Sequence, residues 1–274
     1  MEALAHKRKK GILIAAHRGT SGGNIPCNTT AAFTAALMEK ADIIELDVAV
    51  SRDGELFVFH PGMEHAHVRK VRMISGRSAA SVAKLRFVNQ DDAKTSYGVE
   101  KLEDVLSFLK GKCYINIDKF WTAPEKITQT VRRCGVEEQV IIKANSMDDF
   151  KNVEKFAPDL PFMPVIGDKD EVTQKIAQMN INLIGAEVLF REDTAPVCSP
   201  EYIASMHERG LMLWGNSIVY NERANIAAGH TDDCALRGNP ENGWGWYVDR
   251  GFDIIQTDWA GICRSWLNEN KQQG

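Results

Sequence analysis

The sequence predicts an α/β fold, a closed (β/α)8 barrel with a small insertion after strand two. Short β-like runs alternate with longer amphipathic stretches, the mark of successive βα units around a mainly parallel sheet. The β-like runs, at 11–16, 43–50, 113–119, 138–143, 161–166, 182–188, 211–216 and 253–257, number eight, which suits a closed barrel better than an open doubly wound sheet. The length of 274 residues fits one such barrel, and with no internal repeat or flexible linker the expected organisation is a single domain over 1–274.

The first strand follows His6-Lys7-Arg8-Lys9-Lys10. A charged stretch before an apolar one has the order of a signal peptide, but this apolar run is only about five residues and His17-Arg18 ends it, so it reads as a strand. A helical stretch at 29–40 leads to strand 43–50, then the turn Ser51-Arg52-Asp53-Gly54 returns the chain as a hairpin over Glu55 to His60. Residues 61–98 show no clear alternation and carry the basic stretch 65–72, so they read as the insertion. Helical periodicity follows at 100–110, 146–156, 169–179, 199–209 and 259–269, and 218–243 is irregular and rich in Asn, Gly and Asp.

Composition narrows the function. With 44% hydrophobic and 26% charged residues the chain is globular, and a net charge of −4 argues against duplex nucleic acid as a partner. No run approaches the roughly 18 apolar residues of a membrane span. Six cysteines without a C-x-x-C pair suggest reduced thiols, and the expected location is cytoplasmic unless a signal peptide has been removed. Oligomeric state is not legible.

Candidate chemistry concentrates on strand two. Glu45 and Asp47 share one face of it, while Ile44, Leu46, Val48 and Val50 share the other. If the apolar face meets the helices, the two carboxylates point into the barrel, where one divalent cation with oxygen ligands, Mg2+ or Ca2+, would compensate them. The third strand repeats the pattern, with Asn116 and Asp118 opposite Ile115 and Ile117, so Asp118 is either a third ligand or a turn residue. His17 and His60 end flanking strands and suit proton transfer near neutral pH, and Arg18 suits a phosphate oxygen. Lys143 and Glu187 end later strands as mouth residues or an interior ion pair. Trp214 and Asn216 share a face and offer an aromatic wall for a substrate or a core contact, and Asp258 is expected to cap the final helix.

Together these residues resemble a known family. His17-Arg18-Gly19, Pro26-Cys27-Asn28-Thr29, Ile43-Ile44-Glu45-Leu46-Asp47-Val48, Asp53-Gly54 and Val58-Phe59-His60 are similar to the signature of the glycerophosphodiester phosphodiesterases. Leu102-Glu103-Asp104, Asn116-Ile117-Asp118, Trp214-Gly215-Asn216 and Gly251-Phe252-Asp253 through Thr257-Asp258 extend the likeness along nearly the whole chain. The resemblance implies a TIM barrel that hydrolyses glycerophosphodiesters, as small-molecule substrates, to an alcohol and glycerol 3-phosphate with a divalent metal. It makes His17 and His60 the acid/base pair, Arg18 a phosphate contact, and Glu45, Asp47 and Asp118 the metal ligands, with Asp118 standing where the family usually has Glu.

Three further departures are Cys27 for the usual Glu, Pro61 for Asp after the second histidine, and Phe120 for a Lys whose cation Lys119 or Lys143 would replace. The favoured mechanism has His17 as base and His60 as acid, with water or the glycerol 2-hydroxyl as nucleophile. Two alternatives stand beside it: a phospholipase D-like or cyclising lyase acting on lysophospholipids, and a barrel that only binds phosphodiesters.

Overall fold

Eight parallel strands close on themselves: β1 (Leu13–Ala16), β2 (Ile43–Val50), β7 (Tyr114–Asp118), β8 (Val140–Ala144), β9 (Phe162–Ile166), β10 (Gly185–Val188), β11 (Met212–Asn216) and β12 (Ile254–Thr257), with β1 pairing both β2 and β12. This computed structural model describes residues 11–221 and 223–271, and the basic stretch 6–10 lies outside the described residues. No helix among the described residues is long and apolar enough to cross a membrane.

The alternation on β2 explains the layering. Ile44, Leu46 and Val48 face outward into a continuous core with Phe33, Leu102, Leu106, Ile127 and Phe150 from the surrounding helices. Inside, Leu13, Ile43, Ile141, Met163, Ile184, Met212, Trp214 and Ile254 plug the barrel below its mouth. Each such side chain contributes about 1.5–3 kcal/mol on full burial, so the interior is a packed floor and only the C-terminal ends of the strands are left for chemistry. Thr29, Ser146 and Ser199 start their helices by accepting a hydrogen bond from the amide three residues on, which fixes how the chain leaves the barrel mouth.

The hairpin after β2 forms as expected: β3 (Leu56–Val58) runs antiparallel to β2, pairing Val48 with Val58 and Val50 with Leu56. Gly54, at φ 85°, supplies the left-handed turn residue. The insertion is more regular than its sequence suggests. It holds a hairpin of β4 (Arg86–Val88) and β5 (Lys94–Gly98), whose register shift breaks the period-two pattern, and β6 (Glu100–Lys101) then pairs β3. Phe59, Val68, Ile74, Leu85, Phe87 and Val99 form a separate small core there with Ala49 and Phe57 of the β2–β3 hairpin.

Two helical expectations change. The stretch 169–179 supplies only the single turn Thr173–Ile176, because Asp170 accepts from the amides of Val172 and Thr173 and delays the start. The helix Pro124–Cys134 is additional; its buried face includes Thr128 and Thr130 beside Ile127 and Val131, which blurs the apolar periodicity.

Candidate active site

Glu45 and Asp47 point into the barrel and are 3% and 1% exposed. The β2–β7 register sets Asp47 beside Asp118, and one oxygen from each of Glu45, Asp47 and Asp118 lies within 4.8 Å of the others. Burial first, then the charge of Asp47, pushes the Glu45 carboxyl far above the usual carboxylate range. The cluster is therefore short of positive charge at its buried end, and Asp47 Oδ1 is a buried oxygen with no hydrogen-bond donor. Three hard oxygen donors converging on an unpartnered carboxylate oxygen fit Mg2+ or Ca2+.

Cations already crowd the outer side. Arg18 Nε stands 2.9 Å from Asp47 Oδ2, and the Arg18 amide donates to Glu45 Oε2 at 2.8 Å. Lys119 Nζ is 2.5 Å from Asp118 Oδ2 and 3.7 Å from Asp47 Oδ1. The two carboxylates outweigh the burial of Lys119 and raise it to about 12, while Lys119 in turn holds Asp118 below its ordinary value against burial. Asn28, which sequence reasoning missed as a site residue, grips Asp47 twice: its Nδ2 donates to Oδ2 at 2.9 Å, and its Oδ1 accepts from the Asp47 amide at 3.2 Å. Arg18, Asn28 and Lys119 all sit at positive φ, 57°, 57° and 61°, an uncommon backbone state that costs about 1–3 kcal/mol each where it is strained. Gly19, at φ 73°, permits the turn after Arg18, since a β-carbon there would come within 2.7 Å of Ala32.

Both histidines reach this cluster. His60 Nε2 lies 3.9 Å from Asp47 Oδ1. Burial lowers the His60 pKa, and the neighbouring Arg18 and Lys119 charges add to this against the pull of Asp47. His17 Nδ1 is 2.8 Å from Asp258 Oδ1, so Asp258 orients a histidine where the sequence suggested a helix cap; the exposed carboxylate stands at the end of β12, the strand paired beside β1. Burial opposes the charge on His17, but the Asp258 hydrogen bond and the Glu45 charge prevail and its pKa is raised.

Asp258 is itself anchored. Its amide donates to Oδ2 of the buried Asp232 at 2.9 Å, while Oδ1 of Asp232 accepts from Ser217, Thr257 and Trp244 at 2.7, 2.7 and 2.8 Å. Burial pushes Asp232 up to about 6, while the donors around it favour its charged form. Asp232 lies in the irregular segment 218–243, where no periodicity marks it. Asp232→Asn would turn an amide donor toward a donor and loosen the Asp258–His17 pair. The expected result is a fall in kcat of about 10–100-fold with KM little changed, read from steady-state kinetics.

The remaining candidates line or support a mouth cavity of about 240 Å³ bounded by His17, Glu45, Asp118, Lys119, Lys143 and Tyr220. Lys143 and Glu187 form an ion pair, Nζ to Oε2 at 2.7 Å, and also line the cavity, so both expected roles are combined. Asn216 donates to Glu187 Oε1 at 2.5 Å and its Oδ1 accepts from Gln256 at 2.7 Å. Of the two readings of Trp214 the structure shows the core contact and not the substrate wall: the ring is fully buried in the floor, with Lys143 Nζ 3.2 Å above it.

A (β/α)8 barrel with acidic residues, histidines and cations at its mouth is the class of molecule this fold and site define. Residues 162–267 match a family model described as a domain of unknown function. An uncharacterized protein of Bacillus subtilis is 31% identical over 155 residues, 54% of this chain and 63% of that protein. A glycerophosphodiester phosphodiesterase of Caldanaerobacter subterraneus is 30% identical over 162 residues, 54% of this chain and 64% of its own length. The alignments thus span less than two thirds of these relatives. Solved structures establish the fold. A glycerophosphoryl diester phosphodiesterase of Parabacteroides distasonis superposes with TM-score 0.75 at 21% identity, covering 93% of this chain and 87% of that one. A phosphodiesterase of Oleispira antarctica in complex with the product sn-glycerol-3-phosphate gives 0.68 at 13%, covering 93% and 96%. In sequence and in fold, then, the chain is similar to proteins named glycerophosphodiester phosphodiesterases.

Proposed function

We propose that this chain, as one barrel domain, is a metal-dependent phosphodiesterase that hydrolyses glycerophosphodiesters to an alcohol and glycerol 3-phosphate. The convergence of Glu45, Asp47 and Asp118 beside two histidines and two cations carries the reading. When bound, a divalent cation held by the three carboxylates would polarise a phosphoryl oxygen. Arg18 and Lys119 are placed to hold the other phosphoryl oxygens, Lys119 from its position between Asp118 and Asp47. The pKa directions support neutral His60 as the base that removes the proton of the attacking hydroxyl and charged His17, steadied by Asp258, as the acid that protonates the leaving alkoxide. This reverses the orientation favoured from sequence, which read Asp258 as a helix cap and so had no partner for His17.

The lysophospholipid reading is less well supported. It needs an acyl-binding surface near the insertion, where the exposed large apolar residues among those described are Val71 and Met73.

The pair predicts a bell-shaped pH profile. His60 has a lowered pKa, so the base is lost only as pH falls below about 6.5; His17 has a raised pKa, so the acid is lost as pH climbs above that value. Asp258→Asn should draw the alkaline limb to lower pH in a kcat/KM profile, and an unmoved limb would remove His17 as the acid.

The direct test is release of glycerol 3-phosphate from a panel of glycerophosphodiesters with and without chelator. Cation binding has its own readout. At about 100 times Kd, Mg2+ or Ca2+ should stabilise the fold by about 2.7 kcal/mol, raising Tm by about 5–10 °C in calorimetry, and Glu45→Gln should abolish the shift.

A further inference from the structure

A phosphodiester carries two alcohols on one phosphorus, and in an in-line displacement the attacking and leaving oxygens lie on opposite sides of it. With His60 as base and His17 as acid, the leaving alcohol is on the His17 side. His17 lines the mouth cavity together with Glu45, Asp118 and Lys119, and His60 is absent from that lining among the described residues. The rest of the polar lining includes Asn116, Lys143, Glu187, Asn216 and Gln256, to which neither phosphate nor metal has given a role.

The hydrogen bonds of this group run in one direction. A carboxylate only accepts, so Glu187 fixes Asn216 with Nδ2 toward Oε1. Asn216 Oδ1 must then accept, which fixes Gln256 with Nε2 toward it. The chain ends at Gln256 Oε1, a buried oxygen with no partner among the described residues. Asn116 is oriented by the same logic: its Nδ2 donates to the Ile141 carbonyl at 3.2 Å, and its Oδ1 is left buried and unpartnered. Turning over any of the three amides would set oxygen against oxygen. Asn116 and Gln256 are 0% and 5% exposed, and an acceptor so placed is costly to leave unmet, so this part of the cavity calls for hydrogen-bond donors.

It does not call for a cation. Lys143 and Glu187 balance each other. Each indole beside the cavity already carries a lysine, Lys143 Nζ at 3.2 Å from the Trp214 ring centre and Lys119 Nζ at 5.2 Å from that of Trp121, while the Tyr220 ring is tilted against His17. A trimethylammonium group has no N–H and would leave both oxygens unmet, whereas hydroxyl groups would supply the missing donors.

We propose that the mouth cavity binds the leaving alcohol, and that Asn116 and Gln256 select one rich in hydroxyl groups, a polyol, over one that ends in a trimethylammonium group. The proposal rests on the phosphodiesterase reading above. It makes these two amides specificity residues and leaves the chemistry to the carboxylates and histidines.

The test compares kcat/KM, with Mg2+ and with Ca2+, for glycerophosphoglycerol, glycerophosphoinositol, glycerophosphocholine and the glycerophosphodiester of neohexyl alcohol, in which carbon replaces the choline nitrogen and the charge is lost while the shape is kept. The wild-type full chain should favour the two polyols by about tenfold or more, since a site built to hydrogen-bond rejects an analogue that cannot. Choline and its carbon isostere should be equally poor, because neither donates. Asn116→Leu removes one acceptor and should cut the polyol preference by about fivefold. Gln256→Leu hands the unmet oxygen back to Asn216 Oδ1 and should change the preference less. A ratio taken within one enzyme cancels any loss of turnover the substitution itself causes, and the wild-type comparison needs no variant to fold. Three results overturn this assignment while the phosphodiesterase reading stands: equal or reversed preference in the wild type, a choline ester that keeps pace with the polyols while its isostere lags, or a ratio that folded Asn116→Leu does not move or moves less than Gln256→Leu. Hydrolysis of none of the four diesters overturns the phosphodiesterase reading, and this assignment with it.

Discussion

Asp47→Ala should destabilise the fold by about 3–5 kcal/mol as well as silence the site, because it strips a buried guanidinium of its partner. Arg18 is 9% exposed and its Nε ion pair with Asp47 is the contact that compensates it; the Asn28 amide would lose its acceptor at the same time. At about 2–4 °C per kcal/mol, Tm should drop by roughly 6–20 °C in calorimetry. Asp118→Ala is the informative partner. Its side chain is 23% exposed and its partner Lys119 keeps a second carboxylate, Asp47, so it should abolish turnover with a much smaller thermal shift. If the two variants melted alike at the wild-type temperature, the claim that Asp47 compensates a buried cation would be wrong.

His17→Ala should reduce kcat/KM by about 10²–10⁴-fold, the usual worth of a positioned proton donor. The side chain is 13% exposed and its hydrogen-bond partner is the exposed Asp258, so the fold should survive and circular dichroism should be unchanged. His60→Ala should act similarly. Because the two serve one reaction, the double variant should lose little beyond the more damaging single one. A His17→Ala enzyme that turns over at the wild-type rate would exclude it from the chemistry.

Much of this site could be read along the chain, and the reason is the strand period. Two carboxylates at i and i+2 on β2, with Leu46 between them and Ile44 and Val48 on either side, admit only one orientation once the apolar face is buried, so Glu45 and Asp47 had to face the interior. The same period on β7 put Asp118 on the matching face and left it open between a ligand and a turn residue. The residues that escaped are those whose roles depend on distance in space. Asn28 lies in a loop, and its double grip on Asp47 spans 19 residues. Asp258 looks like a helix cap until β12 is seen beside β1, across 241 residues from His17. Asp232 carries no periodic signal at all and is recognisable only from the four donors around it. Trp214 was legible as inward-facing, but its depth in the barrel was not, because alternation assigns a face without assigning a layer.

Strand β3 leaves the barrel wall as it delivers His60, and the chain then enters the insertion with its separate small core. One imidazole thus belongs to the cylinder and the other stands where a three-residue strand paired to β2 runs into this appendage. Any event that loosens the appendage, such as a heat pulse, a protease nick or a crowded neighbour, would widen the gap between the two while the cylinder stayed intact. Loss of activity should accordingly precede global melting, and the margin between the two temperatures would measure how firmly the appendage is seated.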